Sequence, residues 1–448
     1  MAVLMREYVA RCLTRGEASY FSKPVIARAP APLDFSSFRG KSGYDRAVAA
    51  LFAASAQGWL TPSEIFAPHY SRAVTNCVLS LLPPRAPLRV FEVGGGSGAH
   101  AVHALDFLRA VAPARYAGAS YTILEASAEL CAAQGAAICA AGHGAVARSL
   151  HTDALRLGEL AELHTPAPCA VVALEVLDNL PHDKVVCIDG ALHEARVVEG
   201  GGDARREVYA PLDDATLVAA WAQMEAYGRA GWVPWGGGAA LLARAARALP
   251  PLPRRLQRCA YAHLPPPPPR FQWALCAPTG AFALLHAVRR ALPAARLLLA
   301  DFAALPPPAV ARRGDGKAPP EYAPPTPLPG CGGPAWGDVA GRGRWGGASA
   351  AGSLPLALGG AAAAPLIVAS KREFKGEDHA TYLTPPPGDA DILFPTDFGL
   401  LARMWGPSAK VRTNAEFMRQ FAPPGAGETL TGYNPLLEDF KNTMVLTA

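Results

Sequence analysis

The sequence predicts an α/β fold: a doubly wound, mostly parallel sheet with an N-terminal helical extension, an antiparallel hairpin insertion and closing strands near the C-terminus. From Leu88 onward short apolar runs alternate with helical segments, the signature of βαβ units. The runs LRVFEV, YTIL, CAVVAL and ARLLLA are four to six residues long and nearly all apolar, as strands buried on both faces of a parallel sheet are. The first of them ends in VFEVGGGSGAH, residues 90–100, where a strand runs into glycines and then into an alanine-rich stretch.

Residues 1–87 form an N-terminal helical cap region. Within it, GWLTPSEIFAPHYSRAVTNCVLSLL reads as a helix entered at Thr61-Pro62-Ser63, with the proline early and Ser63 as cap. Ile65, Phe66, Val74, Val78 and Leu81 then fall on one face. The core follows over 88–305, interrupted at 184–198 by KVVCIDGALHEARVV, where Asp189-Gly190 between two short alternating runs predicts a two-residue hairpin. Residues 213–229 and 239–249 look helical, and LPPPPPR at 264–270 is a stiff polyproline spacer. The 306–365 stretch is almost wholly proline, glycine and alanine, too poor in large apolar residues to offset the entropy of ordering, and is expected to be a mobile insertion. Residues 366–448 return to the core, with the runs at 366–369 and 444–447 as last strands of the same sheet, so that the core closes only at its C-terminal end.

The totals exclude several function classes. A net charge of +5 over 448 residues is modest, and the arginines are scattered rather than interleaved with aromatics in a stripe, so nucleic acid is not the expected partner. Nine cysteines, with no CxxC pair, read as thiols in a reducing compartment and supply no zinc spacing. No run of about 18 apolar residues is free of charge or proline, so no membrane span is expected. The opening MAVLMREYVARCLTRGEASY has no secretory apolar region, and Glu7 and Glu17 weigh against a presequence.

A strand ending in glycines before a helix lets a ligand approach the backbone and aims N–H groups at it. Ser97-Gly98-Ala99 lacks the lysine of a phosphoryl-transfer loop. Gly94, Gly96 and Ala99 satisfy the G-x-G-x-x-A form of the dinucleotide fingerprint, but Glu92 would set a carboxylate near a pyrophosphate, and the next strand-end acid, Glu125, lies farther on than that pattern expects. S-adenosylmethionine carries no phosphate. Glu92 with the loop of Gly94, Gly96 and Gly98 suits its ammonium and carboxylate, and Glu125 suits its ribose hydroxyls. A purely structural turn remains the competing reading of the loop.

Further motifs follow in order: EYVARCLTRGEASYFS, GWLTPSEIF, FEVGGGSG, TILEASAELCAAQ, LEVLDNLPHDKVV, LLHAVRRALPAARLLLADF, PTDFGLLARM and VRTNAEFMRQFA. Together they resemble the MidA-like family of methyltransferases, which includes the mitochondrial complex I assembly factor that methylates arginine, and the similarity is nearest to a plant-type branch. The resemblance implies a Rossmann-like core, S-adenosyl-L-methionine as cofactor, a protein substrate in complex I assembly and a mitochondrial location. The chain departs from the bacterial and animal motif in having Leu174 where asparagine is expected and Asn179 where alanine is expected.

For a guanidinium acceptor, carboxylates that hold the cation and leave one nitrogen aimed at the methyl would serve. Glu175 and Asp178, at the carboxyl end of the fourth run, stand where open α/β sheets bind ligands, though Asp178 can equally cap the following turn. His182 is a candidate base or a surface hydrogen-bonder. Asp153 suits the adenine amino group or a helix N-cap. Thr61, Ser63 and Glu64 match a part of the family that lies over the cofactor. His100 and His103 lie three apart with no third ligand, so no metal is expected. Two rival functions stand beside an arginine methyltransferase: a degenerate relative serving as a scaffold in a larger complex, and a dinucleotide-dependent oxidoreductase.

Overall fold

A computed structural model describes residues 2–16, 18–23, 25–54, 59–200, 205–227, 271–305, 367–372, 375–379 and 381–448. The expected helix at 239–249, the polyproline at 264–270 and the insertion at 306–365 lie outside the described residues.

The chain begins with β1 (Ala2–Leu4), α1 (Met5–Leu13), α2 (Lys41–Ala54), α3 (Pro62–Ile65) and α4 (His69–Leu81). There follow β2 (Arg89–Val93), α5 (Ala99–Val111), α6 (Pro113–Ala117), β3 (Ser120–Glu125), α7 (Ala128–Ala140), β4 (Ala147–His151) and β5 (Cys169–Leu174). Next come β6 (Asp183–Ile188), β7 (Ala191–Glu199), β8 (Arg205–Pro211), α8 (Ala215–Tyr227) and β9 (Phe271–Ala277). The last elements are α9 (Thr279–Ala291), β10 (Ala295–Phe302), β11 (Ile367–Arg372), β12 (Lys375–Asp378), β13 (Asp391–Leu393), α10 (Phe398–Trp405), β14 (Lys410–Thr413), α11 (Asn414–Phe421), α12 (Pro435–Glu438) and β15 (Thr443–Thr447).

These elements form two compact units. The larger takes in described residues of 7–181, 278–305 and 367–448. Its seven-stranded sheet has the order β14-β15-β10-β5-β2-β3-β4, with β10, β5, β2, β3 and β4 parallel and β15 antiparallel to both its neighbours. The parallel strands are apolar because helices cover them: Val90, Ile123, Val172 and Leu298 pack in one cluster with Val74, Val78, Leu105 and Ile138 from α4, α5 and α7. Each such side chain taken out of water contributes about 1.5–3 kcal/mol.

Two expectations are corrected here. The single helix entered at Thr61 is two helices, α3 and α4, separated at Pro68. A proline has no N–H to give an interior turn, and Thr61 takes the N-cap position without a side-chain capping bond, so Ser63 is inside α3 rather than its cap. The apolar run at 366–369 does not join the main sheet. It belongs to β11, which pairs antiparallel with β12 and β13 in a three-stranded sheet, while β14 and β15 close the main sheet.

The smaller unit takes in described residues of 1–6 and 182–277. It is an antiparallel sheet in which β7 pairs with β1, β6 and β8, and β6 with β9. Asp189 and Gly190 join β6 to β7 with φ of 50° and 80°, the pair of positive values a tight hairpin turn requires. The hairpin is thus part of this sheet and not an extension of the parallel one. Inside it Lys184 Nζ donates to both Glu207 oxygens at 3.0 and 2.8 Å, and the Tyr209 hydroxyl donates to Glu207 at 2.6 Å.

Candidate active site

A cavity opens at the carboxyl ends of β2, β3 and β5 in the larger unit, the place where open α/β sheets take ligands. Glu92, Gly94, Gly96, Glu125, Asp153 and Glu175 line it, as do Thr61 and Ser63. Four predicted residues do not: Gly98, Glu64, Asp178 and His182.

The loop after β2 has the shape its glycines permit. Gly94 has φ of 64°, and a Cβ there would come within 2.9 Å of a Val176 methyl, so neither the backbone angle nor the space admits a side chain. Gly98, at φ 83°, is the N-cap of α5. It shapes the turn from beneath rather than lining the cavity.

Glu92 is 2% exposed. It accepts the Tyr121 hydroxyl at 2.8 Å, and among the described residues no cation pairs with it. Burial, with the nearby Glu125 charge adding to it and the Tyr121 bond opposing, pushes its carboxyl up to about 8. A buried carboxyl awaiting a positive partner beside a glycine loop fits the ammonium of an amino-acid end. Glu125 is raised by burial too, against bonds from the Ser127 N–H at 3.0 Å and Gln134 Nε2 at 2.8 Å, and its remaining lone pairs suit ribose hydroxyls. Asp153 Oδ1 accepts the Leu155 N–H at 2.9 Å, so it is a cap and also part of the cavity wall that would face an adenine.

Glu64 acts on the loop from outside. Its Oε1 accepts the Ser97 hydroxyl at 2.5 Å and its Oε2 accepts the Ala29 N–H at 2.9 Å. Arg28 Nη2 donates to the Ser97 carbonyl at 2.6 Å, so the glycine loop is tied to both α3 and the N-terminal segment.

Beside the glycine loop, just after β5, Glu175 has φ of 54°, a strained value for a residue with a side chain. Its N–H donates to the Ala300 carbonyl at 2.8 Å. Burial and the neighbouring Asp301 charge push its carboxyl up to about 8. Asp301 is fully buried and organises the following turn: Oδ2 accepts the N–H groups of Val176 and Asp178, each at 3.1 Å, and Oδ1 accepts that of Phe302 at 2.6 Å. Asp178 is 2% exposed and its Oδ1 meets no hydrogen-bond partner. Burial, then Asp301, Asp391 and Glu175, hold it well above the ordinary carboxyl range. It therefore stands behind the wall that Glu175 lines. His182 is buried in the smaller unit. Among the described residues no cluster of three or more His, Cys, Asp or Glu is arranged to hold a metal, and His100 and His103 each have an unpartnered Nδ1.

Several residues of the cavity wall do not stand out as site residues in the sequence, although Thr14, Arg15 and Phe21 lie within the motif EYVARCLTRGEASYFS. Thr14, Arg15, Phe21 and Ile26 come to the cavity from the N-terminal segment, and Tyr70 from α4. Gln134, the last residue of TILEASAELCAAQ, bonds both Glu125 and the Gly96 carbonyl.

These features define a Rossmann-like α/β protein with a carboxylate-flanked glycine loop lining a cavity at the carboxyl ends of its parallel strands. Residues 71–315, more than half of the chain, match the family described as "Putative S-adenosyl-L-methionine-dependent methyltransferase", and the chain belongs to that family. Its cofactor is S-adenosyl-L-methionine, and the dinucleotide reading of the loop falls away. Two solved structures share the fold. A COG1565 superfamily member from Burkholderia thailandensis, bound to S-adenosyl-homocysteine, is 15% identical with a TM-score of 0.54, covering 100% of this chain and 87% of that one. A native structure of a COG1565 superfamily protein from the same organism gives 15%, 0.53, 100% and 87%. No curated protein matches the chain.

Proposed function

We propose that this methyltransferase acts on a protein arginine, in mitochondria and in the assembly of complex I, as the MidA-like resemblance and its plant-type branch imply. Glu175 carries the acceptor reading: a carboxyl at the end of β5, half-buried, lining the same cavity as the glycine loop. When bound, the cofactor supplies a methyl group on a sulfonium. Glu92, Gly94, Gly96, Glu125 and Asp153 would hold it, and Thr61 and Ser63 lie along the same wall.

A guanidinium nitrogen forms the new N–C bond with its lone pair as the C–S bond breaks, and the surplus proton must leave that nitrogen. Glu175 would hold the guanidinium and take that proton in its ionised form, which an arriving cation favours against the burial and Asp301 charge that keep it protonated in the free protein. Asp178 is not at the cavity wall, so its part is to shape the turn through its backbone. Tyr70, Leu174 and Val176 line the same cavity.

Mitochondrial extract incubated with methyl-labelled S-adenosylmethionine and the purified chain tests this reading. Label is expected in methylarginine after hydrolysis, with Glu175→Gln reducing its rate of appearance about 100-fold or more. Label in another amino acid would overturn the arginine acceptor. Bound cofactor with no label in any protein would favour the scaffold.

A further inference from the structure

One segment, 382–394, touches both ends of the cavity's frame. At its start the Tyr382 ring packs edge-on against Tyr8 of α1, centroids 5.8 Å apart. At Gly388, φ 81°, the backbone runs so close to the Ala18 carbonyl that a Cβ would collide with it, and Lys23 Nζ donates to the Gly388 carbonyl at 2.7 Å and to Asp389 Oδ1 at 2.8 Å. Those contacts grip the N-terminal segment that supplies Thr14, Arg15, Phe21 and Ile26 to the cavity.

At its other end the segment grips the acceptor side. Asp391 is 4% exposed, and its Oδ1 accepts Asn179 Nδ2 at 2.7 Å together with the Ile392 N–H at 2.8 Å. Asn179 Nδ2 also donates to the Ile392 carbonyl at 3.2 Å, and the Phe394 N–H donates to the Asp178 carbonyl at 2.9 Å. Asn179 lines the cavity a few residues beyond Glu175.

We propose that 382–394 is a brace that couples the cofactor end of the cavity to the acceptor turn, with Asp391 the positioning residue that holds Asn179. A ligand that orders the N-terminal segment orders the turn at 175–180 as well, because both rest on one short stretch of chain. Coupling of this kind is a free energy shared between sites, and it makes cofactor occupancy a condition for an organised acceptor end. The inference rests on the cofactor and not on the identity of the acceptor.

Hydrogen exchange on the whole chain, with and without S-adenosyl-homocysteine, tests it. In the wild type the ligand is expected to slow exchange at 94–98 and also at 176–180. In Asp391→Ala the first protection persists with Kd changed less than about threefold, and the second falls at least fivefold. Asp391→Asn, which keeps an acceptor oxygen for Asn179 Nδ2, restores it. Lys23→Met, remote from the turn, weakens it in the same direction. Ligand-induced protection at 176–180 that is equal in the wild type, Asp391→Ala and Lys23→Met would overturn the brace. Protection at 94–98 with none at 176–180 in the wild type would overturn it too. No protection at either place would overturn the cofactor assignment beneath it.

Discussion

Glu64 holds the Ser97 hydroxyl at 2.5 Å, so a carboxylate on α3 fixes the one serine of the glycine loop. Glu64→Ala leaves that hydroxyl and the Ala29 N–H without their acceptor. An unpaired buried donor costs about 1–3 kcal/mol. The expected result is a lower Tm and a Kd for S-adenosyl-homocysteine raised about tenfold, measured by calorimetry, with Ser97→Ala giving part of the same loss.

Glu92 and Glu175 make the free protein sensitive to pH in a definite direction. Both carboxyls are raised from the ordinary 4.5 to about 8, so the folded state holds protons that the unfolded chain has released. Their contribution to stability is whole below 4.5 and is lost as pH rises to about 8. The Tm of the ligand-free protein should therefore decline across that window. Ligand affinity should move the opposite way, since an ammonium is held by the ionised Glu92, and Glu92→Gln should both weaken S-adenosyl-homocysteine and flatten its pH dependence. Affinity that is independent of pH in the wild type would remove Glu92 from the ammonium site.

Glu175→Gly separates stability from activity. Glycine adopts φ of 54° freely, and the change removes a half-buried carboxyl, so the variant should be more stable by about 1 kcal/mol while methyl transfer is lost. Urea unfolding beside a transfer assay checks both halves. A destabilised variant would show that the strain at Glu175 is offset by contacts of its side chain.

Asp301→Ala removes the acceptor for three backbone N–H groups, those of Val176, Asp178 and Phe302. A loss of about 2–4 kcal/mol is expected from so many unpaired buried donors. Under conditions where the variant is folded, turnover should fall more than the affinity for S-adenosyl-homocysteine, because Asp301 holds the turn carrying Glu175 directly and reaches the glycine loop only through the Val176 contact with Gly94.

What was legible in the sequence was local. The apolar strands, the Asp189-Gly190 turn and the glycine loop announce themselves because composition within a few residues decides them. The partner of β11 did not, since an apolar run says strand without saying which sheet. Pro68 alone does not reveal the break, because apolar residues on both sides keep a helical rhythm across it. Glu92 and Glu175, legible from their place at strand ends, line the cavity. Asp178, with an equally good position in the sequence, is buried and does not line the cavity. The Tyr121 bond to Glu92, the Ser97 bond to Glu64 and the cavity wall from 14 to 26 depend on tertiary approach, which no spacing rule encodes.

The placement of β15 bears on how the molecule is made. This strand lies between β10 and β14, and the Ala448 N–H and carbonyl both pair with Leu297. During synthesis, a chain that has already produced β14 still leaves one edge of β10 bare and β14 with nowhere to dock. An open edge of that kind recruits other strands. A change that unpairs β15 from β10, such as Val445→Pro, should therefore increase aggregation during refolding more than the same change in an exposed loop.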